Sequence, residues 1–177
     1  MTFFIQGRTY APGRRPGNDV NRLVVPPNFF DVMGIPIVRG RALTDRDDEG
    51  TPRVAVINEA AARQHFAGED PIGMRFGTAP ETPGQIEIVG VLRDAKYNSV
   101  RDPAPPTIYV SFRQARTSSA VFAVRTAAAP SSAAGAVREA VRQIDQNLPV
   151  IDVSTQLEQV ERRFQMEKVF AQACAIF

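Results

Sequence analysis

The chain has one cysteine and one histidine in 177 residues. A lone thiol, Cys174, excludes an internal disulfide and any multi-cysteine metal site, and is neutral about compartment. His65 has no cysteine, second histidine or carboxylate cluster at metal-ligand spacing around it. No run reaches the roughly 18–20 apolar residues that a membrane helix needs. The N-terminus lacks the basic-then-apolar order of a signal peptide. Lys and Arg form no stripe interleaved with aromatic residues, which leaves nucleic-acid binding without support. There is no GxSxG, no HExxH and no phosphate-cradling glycine loop. The expected catalytic, cofactor-binding and metal-ligating residues are therefore none, and no cofactor is expected.

What remains is the composition of an ordinary globular protein, 44% hydrophobic and 23% charged, with 21 basic against 19 acidic residues. That excludes a wholly disordered chain and a multi-span membrane protein. The length allows one domain or two small ones with a real core.

Along the chain, strands are expected over 2–6, 20–25, 35–39, 54–57, 74–76, 85–92 and 107–112. Val54-Ala55-Val56-Ile57 has no polar alternation and reads as a buried strand, whereas Gln85 to Val89 alternates and predicts a sheet wet on one face. Asn28 is placed to cap a short helix carrying Phe29, Phe30 and Met33, with Gly34 as its stop. Asn58 is placed to cap a second helix over 58–66, with Glu59 complementing its dipole.

From about residue 113 the style changes. A strand is expected over 120–125. A helix capped by Ser131 or Ser132 follows to about Gln146, its apolar stripe running through Ala133, Val137, Ala140, Val141 and Ile144. A strand over 151–154 and a last helix from Thr155 complete the run. This order is half of a ferredoxin-like unit, whose missing partners would be the N-terminal strands. The fold class is α+β: a mixed α/β subdomain from both chain ends (1–41 and 113–177) with an inserted β-rich subdomain (42–112).

Candidate chemistry is sparse. His65 reads as a surface or capping residue, and Cys174 as a small hydrophobe in an apolar helix. Asp45, Asp47, Asp48 and Glu49 lack the ligand spacing of a calcium loop and read as a solvated loop, with Asp45 bracing Arg39 and Arg41. The last helix is amphipathic through Leu157, Val160 and Phe164 and turns apolar after Lys168, which predicts continuation into a bilayer.

One ordered series remains. It comprises Val24 to Thr44, Arg53 to Glu59, Phe66 to Gly73, Ile88 to Asp94 and Pro106 to Val110. This series resembles the MacB-type periplasmic core domain of ABC-transporter permeases with an FtsX-like membrane region, and more narrowly the second such domain in permeases that carry the module twice. The resemblance implies a porter-like terminal subdomain, no catalytic residue, and a role in coupling membrane conformational change to periplasmic substrate export or partner engagement. ATP hydrolysis would lie on a cognate ATPase subunit or domain. Further implied partners are a second permease, a periplasmic adaptor or cargo, and the inner membrane through flanking helices, with this domain facing the periplasm. The alternative is a periplasmic binding module for a lipid, peptide or lipoprotein, which predicts an apolar groove with convergent polar groups.

Overall fold

The computed structural model describes residues 1–10, 20–96, 102–115, 121–127 and 129–162. The chain forms two compact units, Met1–Ala123 and Val124–Phe177. The α+β class is as expected.

The first unit is one seven-stranded sheet. Its strands are β1 (Phe4–Ile5), β2 (Asn21–Val25), β3 (Ile37–Gly40), β4 (Val54–Asn58), β5 (Arg75–Gly77), β6 (Ile86–Leu92) and β7 (Thr107–Ser111). The order is β1-β5-β6-β4-β7-β2, and β3 pairs with the second half of β6. The sheet is mixed: β4 runs parallel to β6 and antiparallel to β7, and β2 runs parallel to β7. β4 is buried at every residue, as its unbroken apolar run predicted. Ala55 and Ile57 face one cluster with Phe3, Ile88 and Ile108, while Val54 and Val56 face another with Phe30, Leu92 and Tyr109. Two-sided burial is what a central strand without polar alternation is for.

Helix α1 (Phe29–Met33) covers the second face, where Phe30 packs edge-on to Tyr109 at 5.3 Å between ring centroids. Gly34 ends the helix at φ 67°, and Ile35 closes the turn by donating its N–H to the Phe30 carbonyl at 2.8 Å. Asn28 takes the expected position, but its side chain caps nothing. Helix α2 (Glu59–His65) covers the first face through Ala61, and Phe66 follows it into the same cluster. The wet face expected over 85–89 holds at exposed Gln85 and at Glu87, which pairs with Arg75 at 2.8 Å, and ends at Val89, which packs against the second cluster.

The expected boundary at 41/42 is not a boundary. β1 pairs with β5, β2 with β7 in register over five residues, and β3 with β6. The reason lies in edges and core. These early strands cover the flanks of β5, β6 and β7, and Phe3, Ile5, Val20, Val25 and Phe30 are members of the same two clusters as the middle strands.

The second unit contains α3 (Pro130–Ile144), and residues 156–162 are helical. Pro130 occupies the first turn of α3, where a missing N–H costs nothing. Ala129 stands at the cap in place of the expected Ser131 or Ser132. Thr155 and Glu158 cap the last helix reciprocally, each accepting the other's backbone N–H, at 3.1 and 2.7 Å. Strands at 120–125 and 151–154 are absent among the described residues. Val121, Phe122 and Ile151 are 97%, 81% and 78% exposed, with no strand beside them to bury against. Asp152, at φ 51°, interrupts the second run with a left-handed residue.

Candidate functional site

Asn58, Glu59, Asp94 and Thr107, which belong to the series that carried the resemblance, meet at the carboxyl end of β4. Asn58 leaves the strand in extended conformation and begins α2. Its Oδ1 accepts from the N–H of Ala61 at 3.0 Å and of Thr107 at 2.8 Å, and its Nδ2 donates to the Pro105 carbonyl at 2.9 Å. One fully buried side chain thus caps a helix, starts β7 and holds the loop before it. Asp94, just past β6, accepts from the Ala60 N–H at 2.8 Å and pairs with Arg63 at 2.6 Å. Glu59 reaches back to accept from the Asp94 N–H at 3.3 Å. Two orphan amides at the start of α2 are therefore met by side chains, Ala61 by the cap residue Asn58 and Ala60 by Asp94 from beyond β6.

A shallow hollow of about 450 Å³ lies beside this knot, lined by Ala60, Arg63, Gln64 and the Pro103–Pro106 loop. A second, of about 280 Å³, shares Arg63 and is lined further by Arg39, Phe66 and the 67–69 turn. The first contains no group that exchanges a proton near neutral pH. In the second, Glu69 is tied to Arg8 at 3.1 Å.

The amino end of β4 is held differently. The Gln114 amide nitrogen lies 3.0–3.1 Å from the Asp48 carbonyl, the Thr51 hydroxyl and the Pro52 carbonyl, and its Oε1 accepts from the Val54 N–H at 3.0 Å. Ser111 Oγ donates to the Asp47 carbonyl at 2.7 Å. The Asp47 carboxylate, 5% exposed, takes a bidentate bond from Arg41 at 2.8 Å and accepts from the N–H and hydroxyl of Thr44. Burial pushes this carboxyl up, but Arg41 and Thr44 outweigh it and hold it below the usual carboxylate range.

Close backbone approach completes the frame. A Cβ on Gly40 would collide with the Val89 carbonyl, and one on Gly90 with the Arg41 carbonyl. Here β3 pairs antiparallel with β6 beside the irregularity that leaves Val89 as an extra residue against β4, and only glycine fits.

Other expectations are redistributed. Arg41 is braced by Asp47 and Arg39 by Asp70, while Asp45 pairs with Arg113. His65 is half-buried rather than a surface residue: its ring packs on Phe3 at 5.1 Å and its Nε2 is buried. Cys174 lies outside the described residues. Among the described residues no group of three His, Cys, Asp or Glu could hold a metal, and no helix is long and apolar enough to cross a membrane. Gln114 had no signal in the sequence, because a polar residue after a strand reads as ordinary loop.

The profile of the family described as MacB-like periplasmic core domain matches residues 2–144. The chain belongs to that family. A relative, the macrolide export ATP-binding/permease protein MacB of Aggregatibacter actinomycetemcomitans, is 30% identical over 84 residues, covering 46% of this chain and 12% of that protein. The fold is similar to the crystal structure of the periplasmic region of MacB from Actinobacillus actinomycetemcomitans, with a TM-score of 0.54 at 17% identity, over 81% of this chain and 62% of that one. It is also similar to a domain assigned to a permease protein from Porphyromonas gingivalis, with a TM-score of 0.52 at 18% identity, over 91% and 76%. The chain is thus a MacB-like periplasmic core domain, and it spans only a small part of the curated relative it matches. In this setting the two knots around β4 read as framework, since the Asn58, Asp94, Ser111 and Gln114 side chains hold distant segments together.

Proposed function

We propose that this MacB-type domain transmits conformational change in the membrane part of an ABC-transporter permease to work on the periplasmic side, either substrate export or engagement of an adaptor or cargo. ATP hydrolysis belongs to a separate subunit or domain, and a second permease in the same membrane is the natural partner. The observation that carries this reading is the double stapling of β4, by Asn58 at one end and Gln114 at the other. A module that passes on motion must resist deformation, and side chains that bridge distant segments stiffen a sheet at its ends, where it frays first.

The link to the membrane is the last helix, described to residue 162, after which the sequence turns apolar beyond Lys168. A continuous helix passes on a displacement that a flexible joint dissipates. Inserting Gly-Gly-Ser-Gly after Phe164 in the full-length transporter is expected to abolish transport while ATPase activity persists. Wild-type transport by the inserted variant, at matched expression, overturns the reading.

A further inference from the structure

β7 is the last strand of the sheet, and beyond it the chain runs through the 3-10 turn Phe112–Gln114 toward the second unit. If motion enters the sheet along this connection, tension arrives at Ala115 first. Without other fixings it would act on the Ser111 end of β7. There the ladders to β2 and β4 are loaded one pair at a time, Val25↔Ser111, then Val24↔Val110 and Ala55↔Val110. Bonds loaded in series part singly.

Gln114 lies on this path ahead of β7. Its amide holds four groups of the 48–54 segment, with two protons shared over three acceptors and the oxygen on the Val54 N–H. Ser111 Oγ on the Asp47 carbonyl and the Arg113–Asp45 pair at 3.5 Å hold the same segment. These fixings share a load rather than take it in turn. The 48–54 segment leads directly into β4, which lies between β6 and β7 and is buried throughout.

We infer that the Gln114 clasp is a force-bearing latch, passing tension on the chain after β7 into the central strand β4 and so protecting β7 from being peeled off the sheet. The inference rests on the coupling role proposed above for its purpose, but the latch itself is measurable without a transporter.

The test holds the 177-residue chain by its two ends in optical tweezers at constant force, beside urea unfolding of the same variants. Asn58→Ala is the control, since it removes hydrogen bonds at the opposite end of β4, away from the loaded connection. Gln114→Ala is expected to raise the rate of the first detachment roughly tenfold beyond what its equilibrium loss accounts for, with no such excess for Asn58→Ala. If Gln114→Ala does not fold, Gln114→Glu keeps the acceptor for Val54 and removes the three donated contacts. It should show the same excess. Rates for both ends of β4 that follow equilibrium stability along one line would make Gln114 a loop staple and overturn the latch. Tolerance of the insertion after Phe164 would instead remove the coupling role and leave the tweezers result untouched, so the two failures are distinguishable.

Discussion

The side-chain oxygen of Asn58 accepts the N–H of Thr107 at 2.8 Å across 49 residues of sequence. The same oxygen caps α2 through Ala61, so the start of a helix and the start of a strand depend on one atom. Asn58→Ala leaves two buried donors and the Pro105 carbonyl without this partner. The expected loss is about 2–4 kcal/mol, combining a lost cap with unsatisfied buried groups. Urea unfolding should show a lower midpoint at unchanged slope. Asn58→Asp keeps the acceptor for both N–H groups but turns a carboxylate oxygen toward the Pro105 carbonyl, and should also destabilise at neutral pH.

The close approach of β3 to β6 makes a prediction by substitution size. Gly90→Ala places a methyl group against the Arg41 carbonyl and should cost about 1–3 kcal/mol by overpacking. Gly40→Ala meets the Val89 carbonyl and also has to hold φ 70°, which adds about 1–2 kcal/mol for a left-handed alanine. The order of thermal midpoints should therefore be wild type, then Gly90→Ala, then Gly40→Ala. A Gly40→Ala variant as stable as wild type would show that β3 moves away freely.

The parts legible in the sequence are those set by neighbours in the chain. The apolar run of β4, the Asn58 cap, the Gly34 stop and the amphipathic helix after Pro130 all depend on residues within a few positions of one another. The parts that were not legible depend on distance. Nothing near Asn21–Val25 says that it pairs in parallel with a strand 86 residues later; this pairing unites what the expected boundary at 41/42 had separated. The Asn28 cap failed because the position is right but the side chain does not bond the helix. The strands expected at 120–125 and 151–154 had β-forming residues, but β propensity acts through a neighbouring strand, and none is there among the described residues. The Gln114 clasp is pure tertiary contact.

Asp47 makes stability depend on acid. Its folded-state pKa lies below the unfolded value, held there by Arg41 and Thr44 against the opposing effect of burial. Its contribution is therefore fully present above the unfolded carboxylate pKa of about 3.9, and is lost as pH falls through the lower folded value. Asp47→Asn removes the charge from a bidentate Arg41 pair, and the expected cost at pH 7 is about 1–3 kcal/mol. The difference between wild type and Asp47→Asn should shrink below about pH 4. A difference constant from pH 7 to pH 3, followed by urea unfolding, would mean that the pair carries no linked proton.

The last prediction concerns where the cooperative core resides. All the buried side chains among the described residues lie between Phe3 and Ser111, most of the apolar ones in two clusters on the two faces of one sheet. In the second unit no described residue is buried, and the apolar stripe of α3 ends at Ile144, which is 84% exposed. Burial of apolar surface is the main favourable term in folding, and the slope of urea unfolding scales with the surface exposed. A chain ending after Ala123 retains both clusters, both knots around β4 and the Gln114 clasp. It should unfold in one cooperative transition at a midpoint close to that of the 177-residue chain. A chain of residues 124–177 alone should show helix by circular dichroism that melts gradually, without a sharp transition, as short helices lacking a packed face do. Loss of cooperativity in the 1–123 chain would mean that the sheet depends on the second unit, and would sink the assignment of the core to the first.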